Sequence, residues 1–443
     1  MSIQTSPTSA PAQKSTLRRL LPIILAAFSI RLIVVFFTYR DLPDADKFYE
    51  QFGWEMGWIA RALATGHGFS SPYWPWSGPT AMQPPLYPTL LSLVFRVFGV
   101  YTLTSGFVIL SINSLLSALT CIPVYFSANY SLGKRAATIA ACVWALYPFA
   151  IYFSAGRVWE YTLTGILFTT SFCIAQRIHR TANPLAWMGW GALAGLTALS
   201  NPSTLSTLPF LAGVAAWQLR KAQLPKPSRR WLLNFVLTGI AAAAVLTPWT
   251  IRNYRALGIL CPVRDNFWLE LYDDNGGDTS LDPSFAHPAS NPVEMQKWLA
   301  LGEAGFLKEK HDLAVSYIHA HPEFMIHKTI RRIFYYWTGF WSISAQEFHE
   351  QPYEIGNIFQ VCFMSFFMFR GIRRFWRFNR TAFLPYLVLI AVFPITYYIT
   401  HPLMDYRQPI EPAIIVLAIA GVIPWKHLNS GDESKWIGAE RAV

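Results

Sequence analysis

Ten stretches of about 20 mostly apolar residues recur along this chain, and nothing constrains its fold more, because a helix needs about that length to cross the hydrocarbon of a bilayer. They lie near 20 to 39, 104 to 128, 136 to 153, 160 to 177, 185 to 200, 203 to 219, 231 to 250, 355 to 371, 382 to 400 and 410 to 425. Inside lipid every backbone polar group must be satisfied within its own segment, so such stretches are read as helices. The expected class is an all-α membrane protein of about ten transmembrane helices. The segment from Tyr87 to Phe98 is apolar too, but Arg96 inside it and Pro84, Pro85 and Pro88 at its start favour a juxtamembrane helix.

Composition agrees: 53% of residues are hydrophobic, 14% charged and 16% aromatic, far from the balance of soluble domains. The net charge of +11 does not point to nucleic acid, since no basic run is interleaved with stacking aromatics on a soluble module. It follows the positive-inside rule instead. Alternate connections carry Lys134 and Arg135; Arg177 and Arg180; Arg220, Lys221, Lys226, Arg229 and Arg230; and Arg370, Arg373, Arg374, Arg377 and Arg380. With these loops cytoplasmic, both termini are cytoplasmic as well, and of the 25 acidic residues only Asp432, Glu433 and Glu440 stay inside. The N-terminus lacks a small-residue cleavage site, so its first apolar stretch reads as a retained helix. The five cysteines are widely spaced and form neither a metal knuckle nor a redox pair.

Three regions follow: 1–250, an N-terminal membrane region with a first outer loop at 40–103; 251–354, an outer segment with amphipathic helices; and 355–443, the last membrane helices and a cytoplasmic tail. In the first loop, Gly53 to Thr65 has apolar residues at helical spacing, the pattern of a short helix lying along the interface. In the second, Val293 to Ala320 reads as one or two amphipathic helices. Loops this long in a compact bundle usually carry function.

No phosphate-binding Gly loop, zinc-protease His pair or nucleophile elbow is present. Within the spans Arg31 alone is a charge placed well inside, either functional or snorkelling toward the outer end. The informative residues are outside. Asp41, Asp44, Asp46, Glu50 and Glu55 follow the first span, and Glu55 sits amid Trp54, Met56 and Trp58, a setting that favours burial and a raised pKa suited to a general base. Glu55 ranks first as a catalytic carboxylate, then Asp46, then Asp44. Short outer loops add Arg157 and Glu160, then Asn201, and Asp405, Tyr406 and Arg407; the second long segment adds Arg252 and Arg264. Guanidinium groups at this depth suit a phosphate near the bilayer surface.

Ile59-Ala60-Arg61-Ala62-Leu63-Ala64-Thr65-Gly66-His67-Gly68-Phe69-Ser70-Ser71-Pro72, then Gln83-Pro84-Pro85-Leu86-Tyr87-Pro88 and Phe98-Gly99, resembles the first outer loop of bacterial membrane glycosyltransferases similar to protein O-mannosyltransferases and lipid A aminoarabinose transferases, of the C-type superfamily. Tyr397 to Pro402 and Tyr406 to Pro412 resemble the end of such proteins. The resemblance implies a multi-pass protein of the bacterial inner membrane that moves a sugar from a polyprenyl-phosphate carrier to an envelope lipid, glycan or protein, with inversion, using an acid of the first loop. It adds Arg61 and His67 to Arg157, Glu160, Arg252, Arg264, Tyr406 and Arg407 as donor or substrate contacts. No cofactor is required, because the leaving group is already anionic; no metal ligands are assigned, and a divalent metal is not excluded. Two departures stand out: Gln83 replaces the lysine common before the Pro-Pro pair, and Phe52 and Gly53 occupy the place of an acidic pair. The rival readings are a lipid or polysaccharide transporter or flippase, which needs ionisable groups along a central path, and a structural envelope subunit.

Overall fold

The computed structural model describes residues 9–40, 52–73, 76–223, 228–275, 286–340, 353–401 and 403–424. Asp41, Asp44, Asp46, Glu50 and Lys226 lie outside them. Among the described residues the chain is helical, with no strand beyond an isolated bridge between Ser70 and Pro79, and the all-α membrane expectation holds.

Helix α1 (Ser9–Arg40) precedes α2 (Glu55–Ala64) and α3 (Leu86–Phe98). Then come α4 (Leu103–Leu119), α5 (Cys121–Leu132), α6 (Lys134–Leu146), α7 (Pro148–Ala155), α8 (Tyr161–Ala175), α9 (Pro184–Ala198), α10 (Leu208–Ala222) and α11 (Arg230–Leu257). The second long segment folds as α12 (Phe267–Asn275), α13 (Pro292–Ala320) and α14 (Pro322–Thr338), and the chain continues with α15 (Tyr353–Phe378), α16 (Arg380–Val392), α17 (Ile395–Ile399) and α18 (Glu411–Val422). All ten apolar stretches are thus helical. Five described helical runs are long and apolar enough to cross a membrane, and six if the bent pair α6–α7 counts as one. The others, α8, α9, α10 and α18, hold 12 to 15 residues. At about 1.5 Å per residue they fall short of a straight crossing, so ten full crossings stays an expectation.

Arg31 does not snorkel toward either end of its helix. It is fully buried, and it caps a helix break. Pro148 has no N–H for the Trp144 carbonyl, and the chain bends by 46° between α6 and α7. Arg31 supplies the missing donors, with Nη1 to the carbonyls of Ala145 (2.8 Å) and Ala27 (3.0 Å), Nη2 to that of Trp144 (3.2 Å) and Nε to Ser117 Oγ (3.0 Å).

Close approach of backbones holds other helix pairs. A Cβ on Gly371 of α15 would lie 1.8 Å from the Leu417 carbonyl oxygen of α18, and one on Gly421 2.2 Å from that of Phe367. Gly191 and Gly195 of α9 pack likewise against Thr238 and Ala242 of α11. Small residues replace hydrophobic exclusion as the basis of packing where lipid is as apolar as leucine.

The two long segments meet at one end of the bundle. Helix α2 does not lie open along an interface: Met56, Ile59, Ala60 and Ala62 are fully buried and Trp58 nearly so. Tyr101 donates to the Gly57 carbonyl and Arg96 to that of Leu63, which fastens α2 to α3. Helix α13 breaks at Gly302 (φ 67°, ψ 171°) into two arms, and their Trp298, Phe306 and Leu307 pack with Trp58, Tyr73 and Met82 of the first loop.

Candidate functional site

Glu55 is delivered by a tight turn. Gly53 takes φ +85°, and a Cβ there would stand 2.3 Å from the Val158 carbonyl oxygen, so only glycine fits; Trp54 follows at φ +46°. The turn launches α2 with Glu55 as its first residue, where the helix N-terminus favours a carboxylate. Glu55 is 7% exposed. Burial raises its carboxyl pKa, against His287, its own backbone N–H and Arg264, while the Glu270 charge adds to the rise. His287 Nε2 lies 3.7 Å from Glu55 Oε1.

Glu270 forms the second centre. Asn266 donates to its Oε1, Arg264 Nη2 stands 3.4 Å from the same oxygen, and His401 Nδ1 is 3.4 Å from Oε2. Burial alone would raise this carboxyl, but His401, Arg264, His287 and Asn266 outweigh it and hold it below the usual range. His401 Nε2 meets the Tyr406 hydroxyl at 3.0 Å, and the Tyr406 ring stacks on Tyr397 at 4.6 Å. Tyr161 donates to Asp405, whose carboxyl is pushed up by burial against Tyr161, Arg157 and His401. Buried Glu160 accepts from Asn201 Nδ2 at 3.4 Å. Arg264 is the common cation, within electrostatic reach of Glu55, Glu160 and Glu270.

Of the residues singled out from sequence, the fold therefore brings Glu55, Glu160, Arg264 and Tyr406 into one neighbourhood. Arg157 is exposed, over the Tyr152 ring, and acts on Asp405. Arg61 stacks over Trp76 at 4.4 Å, and His67 packs on the same indole at 4.2 Å while its Nδ1 meets Thr65 Oγ1.

Arg252 and Arg407 have internal partners. Arg252 lies between the rings of Phe69 and Trp249 and donates to the carbonyls of Thr80 and Phe69, so it shapes the first loop. Next to it Glu303 accepts from the Ala81 N–H, and the Asp265 N–H donates to the Ala81 carbonyl at 3.2 Å. Arg407 points into the bundle toward Glu411.

Glu270, His287 and His401 were missed from sequence. His401 lies within the late Tyr397-to-Pro402 stretch, and the other two are single polar residues in a long segment. No three His, Cys, Asp or Glu side chains among the described residues are grouped to hold a metal ion.

Residues 82–249 match the family described as dolichyl-phosphate-mannose-protein mannosyltransferase. No curated protein sequence matches the chain. Among solved structures, the Archaeoglobus fulgidus oligosaccharyltransferase in complex with Zn and sulfate is similar, with a TM-score of 0.51, 14% identity, and 89% of this chain and 48% of that one covered. The same archaeal enzyme, AglB, in complex with an inhibitory peptide and a dolichol-phosphate gives 0.50, 15%, 91% and 50%. The chain spans about half the length of that enzyme, and at these identities the likeness is one of fold. The chain is thus an all-α membrane protein that resembles this mannosyltransferase family over residues 82–249 and shares its fold with an archaeal oligosaccharyltransferase.

Proposed function

We propose that the chain transfers a sugar from a polyprenyl-phosphate carrier to a hydroxyl or amine of an envelope lipid, glycan or protein, with inversion, at the outer face of a bacterial inner membrane. The observation that carries this reading is the juxtaposition, in one buried neighbourhood, of a carboxyl with raised proton affinity, Glu55, and a cation shared among carboxylates, Arg264. Glu55 removes the acceptor proton. The acceptor's lone pair forms the bond to the anomeric carbon, and the bond from that carbon to the phosphate oxygen breaks on the opposite side. The electron pair leaves with the phosphate, where Arg264 and His401 meet the added charge. Asp46 and Asp44 remain the second and third candidates for the base.

The family match, with its lipid-phosphate sugar donor, supports the donor class, as does the dolichol-phosphate bound by AglB. The transporter reading loses its clearest feature, since Arg31 is engaged as a helix cap. The test is donor consumption by the purified full chain, offered a panel of polyprenyl-phosphate sugars. Glu55→Gln is expected to lower turnover at least about a hundredfold. Full turnover in that variant, with collapse in Asp46→Asn or Asp44→Asn, moves the base upstream. No consumption by the wild type, with lipid translocation in vesicles, replaces the reading by transport.

A further inference from the structure

We propose that His287 is the positioning residue for Glu55, keeping its carboxylate ionised beside the acceptor and carrying away the proton it collects. The chemistry rests on the glycosyl-transfer reading; the coupling of the two side chains does not.

The geometry is that of a couple with an exit. Glu55 Oε1 and His287 Nε2 are 3.7 Å apart, and the side chains are 10% and 19% exposed, so the imidazole is the more accessible partner. The ring is held in place. The N–H groups of Ser290 and Asn291 both donate to the His287 carbonyl at 3.0 Å, the neighbouring Ala286 N–H donates to Asp273 Oδ1 at 2.9 Å, and the imidazole meets the Tyr73 ring edge to face at 5.6 Å. Tyr73 in turn packs on Trp298 at 4.9 Å. The other groups facing Glu55 are Arg264, which favours its ionised form, and Glu270, which opposes it; Tyr73 is buried and remains protonated.

At rest the Glu55 carboxylate faces the His287 imidazolium, which gives its proton to water before the acceptor reacts. The acceptor O–H or N–H bond breaks and its proton bonds to Glu55. That proton passes to His287 Nε2, restoring the carboxylate, and the imidazolium releases a proton to water. The sugar leaves its phosphate with no other change in charge on the protein. A buried carboxyl without a neighbouring base would keep the proton and stall the next turnover.

The test reads Glu55 directly. In the full chain in detergent, pH-difference infrared spectra report protonated carboxyl groups, and the signal missing from Glu55→Gln belongs to Glu55. In His287→Gln the midpoint of that signal is expected to rise by about one pH unit, a tenfold gain in proton affinity. In His287→Lys, which keeps a cation but cannot relay at neutral pH, the midpoint is expected to stay low while donor turnover falls. Equal thermal melts of the variants and the wild type exclude misfolding, and His287→Asn substitutes for any variant that fails. An unmoved midpoint in His287→Gln and His287→Asn overturns the proposal, as does wild-type turnover with an unchanged pH profile in either. If the midpoint moves as expected but the wild type consumes no donor, the coupling stands and the glycosyl-transfer reading falls.

Discussion

Arg407 Nε and Glu411 Oε1 face each other at 2.9 Å across the turn that leads into α18, with 1% and 0% of their side chains exposed. The Tyr147 hydroxyl donates to the other carboxylate oxygen at 2.9 Å, while Arg407 Nη1 donates to the Tyr336 carbonyl and Ser365 Oγ. The pair ties the break between α6 and α7 to α14, α15 and α18 at their junction with the late loop. Breaking a buried pair leaves one uncompensated charge, at a cost of about 3 to 5 kcal/mol. Arg407→Ala is therefore expected to melt well below the wild type in detergent, and Arg407→Met with Glu411→Leu to recover part of the loss. A wild-type melt for Arg407→Ala, with weakened donor use, would return this arginine to the donor site.

The clasp between the long segments makes stability depend on pH. Burial pushes Asp265 up to about 6 and Glu303 well above the carboxylate range, where the Asp265 charge adds to it. Arg252 and Arg264 oppose the rise at Asp265, and the buried Cys261 thiol feels both carboxyls. Each folded value lies above the unfolded one of about 4, so the stabilisation is complete below pH 4 and is lost as pH rises, through about 6 for Asp265, with Glu303 shifted in the same direction. Thermal melts of the full chain are expected to fall from pH 5 to pH 8, and less steeply in Glu303→Gln, which cannot ionise. Equal slopes in the two proteins would detach the effect from this pair.

Arg31 yields a third prediction, concerned with folding alone. Arg31→Ala leaves the Ala145 carbonyl without its Arg31 donor and the Trp144 carbonyl with the Tyr147 N–H alone. Each unsatisfied buried group costs about 1 to 3 kcal/mol, so a clear drop in the melting midpoint is expected. Arg31→Lys should recover part of it, since an ammonium reaches fewer carbonyls than the planar fork. An unchanged midpoint in Arg31→Ala would mean that the bend satisfies its carbonyls by other means.

The helices were legible in the sequence because lipid forces long apolar runs onto any segment that crosses it, and the break at Pro148 is the kind of detail such counting passes over. Glu55 was legible for a related reason: a carboxylate between Trp54, Met56 and Trp58 contradicts its surroundings. His287 and Glu270 carry no such contradiction locally. Their meaning arises when α12 and the turn before α13 are laid against α2, more than 200 positions away in the chain, a distance over which periodicity says nothing. Arg252 and Arg407 show the converse limit. A count of cations on one face records where the charges start from, but their direction was decided by backbone carbonyls of Phe69 and Thr80 and by Glu411.

The last prediction concerns orientation, which separates the cation-rich loops from the site. Arg374 donates to the carbonyls of Gly421 and Ile423, so the basic run from Arg370 to Arg380 gathers at the C-terminal end of α18. Glu303, by contrast, packs on the first long loop, at the end where Glu411 begins that helix. The two lie at opposite ends of the bundle, and a membrane between them requires opposite compartments. Positive charge in short loops is retained on the cytoplasmic side, so reporters fused near Arg374 and near Lys226, which lies outside the described residues, are expected to report cytoplasm. A reporter near Glu303 is expected to report the exterior. An exterior signal at Lys226 would overturn the span assignment, and a cytoplasmic one at Glu303 would put Glu55 and Arg264 on the inner face, away from an outer-leaflet donor.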